Sequence, residues 1–158
     1  MSEITETITY CVHEDEVKSF LVDFFKKNGW EILNVKYGHE KGVDFEAQKG
    51  NLRWKIEVKS EYKKTQANRN SFLGVWGEIL TRIDDDKIYY GIAFPDTQRY
   101  RELYAQITPK ARKRVKIFVL FCKIEKHALK NINIFSWSEN ENKDIEVPPP
   151  FETKDVKP

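Results

Sequence analysis

Val17, Phe20, Leu21 and Phe24 recur at the three-and-four spacing of one helix face, and Asn28-Gly29 supplies a stop. Residues 13–28 are therefore predicted to form a helix. Glu14, Asp15 and Glu16 crowd its first turn, where the positive end of the helix dipole favours acids. Residues 30–37 then alternate, with Ile32, Asn34 and Lys36 opposite Glu31, Leu33, Val35 and Tyr37, and predict a strand. His39 to Gly42 reads as a loop. Between Gly42 and Ser60, two short alternating runs flank a polar, Gly-containing turn, which is a hairpin signal. Val43, Phe45 and Ala47 share one face of the first run, and Trp54, Ile56 and Val58 share one face of the second.

A polar and basic stretch from Ser60 to Asn70 precedes the cleanest helical stripe in the chain: Phe72, Val75, Trp76, Ile79, Leu80 and Ile83. Gly74 and Gly77 lie within it, although glycine costs a helix about 1 kcal/mol against alanine. Their presence predicts a close approach by the sheet or a ligand. Asp84 to Lys87 reads as a solvated loop. Ile88 to Phe94 is a nearly continuous apolar run, suited to a strand buried on both faces. Pro95-Asp96 opens another helix, in which Tyr100, Leu103, Tyr104 and Ile107 repeat before Pro109 interrupts. Beyond a basic segment, Ile117 to Cys122 reads as a second buried strand, and Asn131 to Trp137 as an edge strand. The order helix, three strands, helix, strand, helix, strand predicts an α/β fold: a central mixed sheet flanked by helices, a meander first and crossovers after.

Composition adds limits. A chain of 158 residues, 40% hydrophobic and 33% charged, is long enough for one domain with a core and has a heavily charged surface. That domain is assigned to residues 1–137. Residues 138–158, which include Pro148, Pro149 and Pro150 and show no apolar periodicity, read as a polar, loosely packed tail. A net charge of +2 leaves partners to be argued from local charge. The acidic N-terminus does not resemble a signal peptide, and the run from Ile117 to Phe121 is too short to cross a bilayer, so a cytoplasmic protein without membrane partners is expected. Cys11 and Cys122 make no disulfide framework and no zinc spacing; each lies in an apolar run, which predicts buried thiols.

The hairpin carries the candidate chemistry. With Lys49 to Leu52 as its turn, Gln48 faces Arg53, Glu46 faces Lys55 and Asp44 faces Glu57. Directly opposed residues sit about 4.5–5.5 Å apart at Cβ, where like charges repel. Lys59 follows on the same face. The tripeptide acid-x-Lys is cheap here, recurring for example as Glu16-Val-Lys18 and Glu61-Tyr-Lys63, so only its position gives it weight. A charged outer face, with Lys59 merely pairing Glu57, is the plain alternative.

In that position the arrangement resembles the PD-(D/E)XK nuclease superfamily, the restriction-endonuclease-like fold that includes Holliday-junction resolvases. The resemblance implies an αβββαβ core over residues 12–122. It also implies catalytic roles for Asp44, Glu57 and Lys59, with Asp44, Glu57 and the backbone carbonyl of Val58 as metal ligands. Some members add an acid from the first helix, for which Glu16, and after it Glu14, is the candidate. Val43 stands where the family's proline is named, and the Gln-x-x-x-Tyr element of one branch is absent. Such hard oxygen ligands suit Mg²⁺ or Mn²⁺. DNA is the implied partner, and members often form homodimers. Ten Lys/Arg against two acids between Arg99 and Lys130 give one candidate phosphate-contacting surface, centred on Lys110, Arg112, Lys113 and Arg114. Lys63, Lys64 and Arg69 give a second. His39 is a further candidate for touching phosphate, and Glu78 for approaching the site. A non-catalytic DNA-binding or assembly module, or a protein-interaction domain, would keep the same fold.

Overall fold

The computed structural model describes residues 10–38 and 40–135. In chain order the elements are β1 (Tyr10–Val12), α1 (Glu14–Lys27), β2 (Glu31–Val35), β3 (Phe45–Lys49), β4 (Leu52–Val58), β5 (Glu61–Tyr62), α2 (Thr65–Leu80), β6 (Ile88–Pro95), α3 (Gln98–Ala105), α4 (Pro109–Val115), β7 (Phe118–Glu125) and β8 (Ala128–Phe135). Six strands form one sheet in the order β2-β3-β4-β6-β7-β8, while β1 and β5 pair separately. The meander β2-β3-β4 is antiparallel, β4-β6 and β6-β7 are parallel, and β8 returns antiparallel. This is the predicted mixed sheet flanked by helices, and its helix, meander, helix, strand order is that of the restriction-endonuclease-like core.

The hairpin has the register that its alternation requires: Glu46 opposite Lys55, Gln48 opposite Arg53, and Lys49 opposite Leu52. Its apolar face, with Phe45, Ala47, Trp54, Ile56 and Val58, packs against Val17, Leu21 and Phe25 of α1. On the other side of the sheet, Phe72, Val75 and Ile79 of α2 and Tyr100, Leu103 and Tyr104 of α3 cover Tyr90, Ile92 and Phe94. Gly91 lies where Trp54 needs room: a Cβ there would stand 3.0 Å from Leu120 Cδ1 and 3.2 Å from Trp54 Cζ3.

Several details differ from the pattern. The fully buried stripe of α1 is Val17, Lys18, Leu21 and Phe25, turned slightly from the apolar one, because Lys18 takes ion partners inside the fold. Helix α2 begins at Thr65, inside the polar stretch. Asn68 anchors that end by accepting from Tyr62 N–H at 2.8 Å and donating to Tyr62 C=O at 2.9 Å. Leu80 and Ile83 are exposed, and a Cβ at Gly74 or Gly77 would meet nothing within 4 Å, so the sheet does not make the close approach expected at those glycines. The basic segment forms α4: Pro109 starts it, Thr108 Oγ1 caps it, and Lys116 ends it with φ 52°. Cys122 is buried as expected, and burial pushes its thiol up to about 12, but Cys11 is exposed. His39, Trp137 and the segment 138–158 lie outside the described residues. Among the described residues no helix is long and apolar enough to cross a membrane.

Candidate functional site

The site is built where β4 leaves the sheet. Strand alternation puts Ile56 and Val58 on the α1 side, which turns Glu57 to the opposite face, 2% exposed. Asp44 immediately precedes β3 and is fixed by its neighbours. Its carbonyl accepts from Lys36 N–H at 2.8 Å, and its Oδ2 accepts from Val58 N–H at 2.8 Å. An extended residue directs its N–H and C=O to the same edge of the strand, so the Val58 carbonyl faces the side on which Asp44 lies.

Asp44 and Glu57 are within hydrogen-bonding reach, and Glu57 is pushed up to about 8. Burial is the largest cause, followed by the hydrogen bond with Asp44 and its charge; Arg82 opposes them. Two carboxylates so placed oppose each other's ionisation, and here it is Glu57 that is pushed up. Cations surround the pair. Lys18, 1% exposed, brings Nζ to 3.6 Å from Asp44 Oδ1 and 3.3 Å from Asp15 Oδ1. Arg82 Nε donates to Glu57 Oε1 at 3.1 Å. Lys59 Nζ donates to Glu78 Oε1 at 3.3 Å. Burial works against the charge of Lys59, but Glu78, with help from Glu14 and Asp44, leaves its ammonium above the usual lysine value.

Of the two candidate acids of the first helix, Glu14 is the one whose charge couples to Asp44 and Lys59. Burial raises its carboxyl, Lys18 counteracts this, and Asp44 adds repulsion. Glu14 N–H donates to Ser60 Oγ at 2.7 Å, and Tyr100 O–H donates to Ser60 C=O at 2.6 Å, which ties α1, the end of β4 and α3 together. Glu16 instead stands 3.1 Å from His127 Nδ1. Glu46 pairs with Arg53 at 2.6 Å rather than with Lys55 across from it.

Among the described residues, no three His, Cys, Asp or Glu side chains form a metal-holding cluster. The donor set that does converge is two carboxylates and one carbonyl, which fits a hard cation that keeps several waters. A cation there would relieve the repulsion that helps to push Glu57 up.

Lys63, Lys64 and Arg69 are exposed at the start of α2, as are Lys110, Lys113 and Arg114 on α4. Arg112 does not belong with them. It is 8% exposed, its Nη2 donates to Tyr104 C=O at 2.8 Å, and its guanidinium carbon sits 4.1 Å from the Tyr104 ring centre. Sequence reading missed Lys18 and Arg82. A lysine on a helix's buried stripe was a usable signal for the first; nothing local marks the second.

No protein-family model and no curated protein matches the chain. Among solved structures, it is similar to an XisH family protein from Nostoc punctiforme, at 18% identity, over 75% of this chain and 98% of that one, with a TM-score of 0.47. It is likewise similar to an fdxN element excision controlling factor protein from Anabaena variabilis, at 16% identity, the same coverage and a TM-score of 0.47.

Proposed function

We propose that this chain is a Mg²⁺- or Mn²⁺-dependent nuclease of the PD-(D/E)XK type that hydrolyses phosphodiester bonds in DNA. The observation that carries the reading is the forced proximity of Asp44 and Glu57 beside Lys59 at the end of β4. In this reading Asp44, Glu57 and the Val58 carbonyl hold the cation, and Glu14 supplies an outer acid. A cation there would polarise the phosphoryl oxygen, lower the pKa of a water and offset charge on the leaving oxygen. Lys59 stabilises charge that develops on the phosphate or holds the attacking water. The exposed bases Lys63, Lys64 and Arg69 lie just beyond the site in sequence and suit the backbone of a nucleic acid.

Single-stranded, duplex and branched DNAs incubated with Mg²⁺ and with Mn²⁺ test the activity. Cleavage is expected from wild type and is expected to vanish in folded Asp44→Ala and Lys59→Ala proteins. Survival of every DNA with both metals overturns the catalytic reading. One observation favours a second reading, a non-catalytic DNA-binding module: Asp44, Glu57 and Lys59 already have ion partners in Lys18, Arg82 and Glu78. Salt-dependent DNA binding that ignores metal would decide for it.

A further inference from the structure

Two charged contacts fasten the end of α2 to the end of β4 as adjacent rungs. Glu57 meets Arg82 and Lys59 meets Glu78, so acid and base follow in the same order along each segment while the segments run in opposite directions. Moving α2 by one turn would set Glu78 against Glu57, acid against acid. The turn that carries Arg82 is closed: its N–H donates to Ile79 C=O at 2.9 Å, and Thr81 Oγ1 donates to Glu78 C=O at 2.6 Å. Arg82 thus reaches from a half-buried position onto an acid that is 2% exposed. A buried carboxylate without a partner is strongly unfavourable, and one held by a single oxygen has a fixed direction for the other.

We propose that Arg82 is a positioning residue for Glu57: by taking Oε1, it leaves the second oxygen for the cation on the Asp44 side. Glu78 has the corresponding part for Lys59. The inference rests on the metal-site reading and adds a residue that acts through Glu57 rather than on substrate. Partners that orient metal-binding carboxylates typically change metal affinity by about 10–100-fold.

Calorimetric titration of Mn²⁺ into wild type, Arg82→Met, Arg82→Lys and Asp44→Ala proteins tests it, with circular dichroism melts to establish folding. Arg82→Met is expected to weaken Mn²⁺ by about 10–100-fold. Arg82→Lys, which keeps the charge without the guanidinium geometry, is expected to fall between, and it serves as the test where Arg82→Met does not fold. Mn²⁺ binding within about twofold of wild type in the folded variants, or tighter binding, overturns the positioning role. Failure of wild type to bind Mn²⁺ removes the metal-site reading itself and the positioning role with it, an outcome distinct from loss of the Arg82 role alone.

Discussion

Glu57 concentrates the electrostatic cost of the site, because burial and Asp44 together hold its carboxyl near 8. In the unfolded chain the same group titrates near the ordinary glutamate value of 4.5. The folded state therefore keeps a proton that the unfolded state loses. The stabilisation is complete below the unfolded value, shrinks as pH rises through the interval, and is gone above about 8. Replacing Glu57 by glutamine removes this titration. In metal-free protein, wild type and Glu57→Gln are expected to melt at similar temperatures near pH 5, with wild type falling progressively below the variant by about pH 8. A difference that does not change with pH would contradict the raised Glu57 carboxyl. Mn²⁺ has the opposite dependence, since it needs the deprotonated pair, and its stabilisation of wild type is expected to grow over the same range. The register of the hairpin was legible because a period of two fixes which of its residues share a face. Which first-helix acid faces Asp44 was not, because neighbouring positions in one turn differ by about 100°. Glu14 lies one turn before Lys18, in line with the buried Lys18, Leu21 and Phe25, and Glu16 lies off that line.

At the scale of elements, alternation and helical spacing identified the strands and helices that carry large apolar residues. They said little about helices made of polar residues. The first turns of α2 and all of α4 fall in stretches rich in Lys, Arg, Asn and Gln, where capping and the Asn68 clamp, rather than an apolar stripe, set the conformation. Glycine was the most misleading residue, because Gly74 and Gly77 were read as close contacts and Gly91 was not singled out. The structure reverses that ranking and gives opposite signs on substitution. Gly91→Val, which forces atoms against Leu120 and Trp54, is expected to destabilise by about 1–3 kcal/mol. Gly74→Ala and Gly77→Ala, in open space within a helix, are each expected to stabilise by up to about 1 kcal/mol. Urea denaturation midpoints measure both, and equal effects from Gly91 and Gly77 would mean that Trp54 has room to move.

For the molecule as a whole, the meander followed by parallel crossovers brings the end of β4, the start of α1 and the end of α2 together, although they are far apart in sequence. Such long-range meetings explain why Arg82 escaped a reading of local pattern. They also separate the basic residues into two kinds that a charge count treats alike. Lys63, Lys64 and Arg69 are exposed on the segment that continues from the site, whereas Arg112 spends its guanidinium on Tyr104. If DNA is the substrate, its phosphates release counterions only where they meet exposed bases, and each lost contact reduces the slope of log affinity against log salt by about one. A Lys63→Ala/Arg69→Ala double variant is therefore expected to bind duplex DNA more weakly and with a shallower salt dependence, while melting like wild type. Arg112→Ala is expected to do the reverse: lower the melting temperature through a lost hydrogen bond and ring contact, and leave the salt slope of the folded protein unchanged. Anisotropy titrations over a salt series, run beside thermal melts, read both quantities. A double variant with an unaltered slope would remove this face of α2 from the DNA path, and an Arg112→Ala protein that melts normally but has a shallower slope would return Arg112 to it.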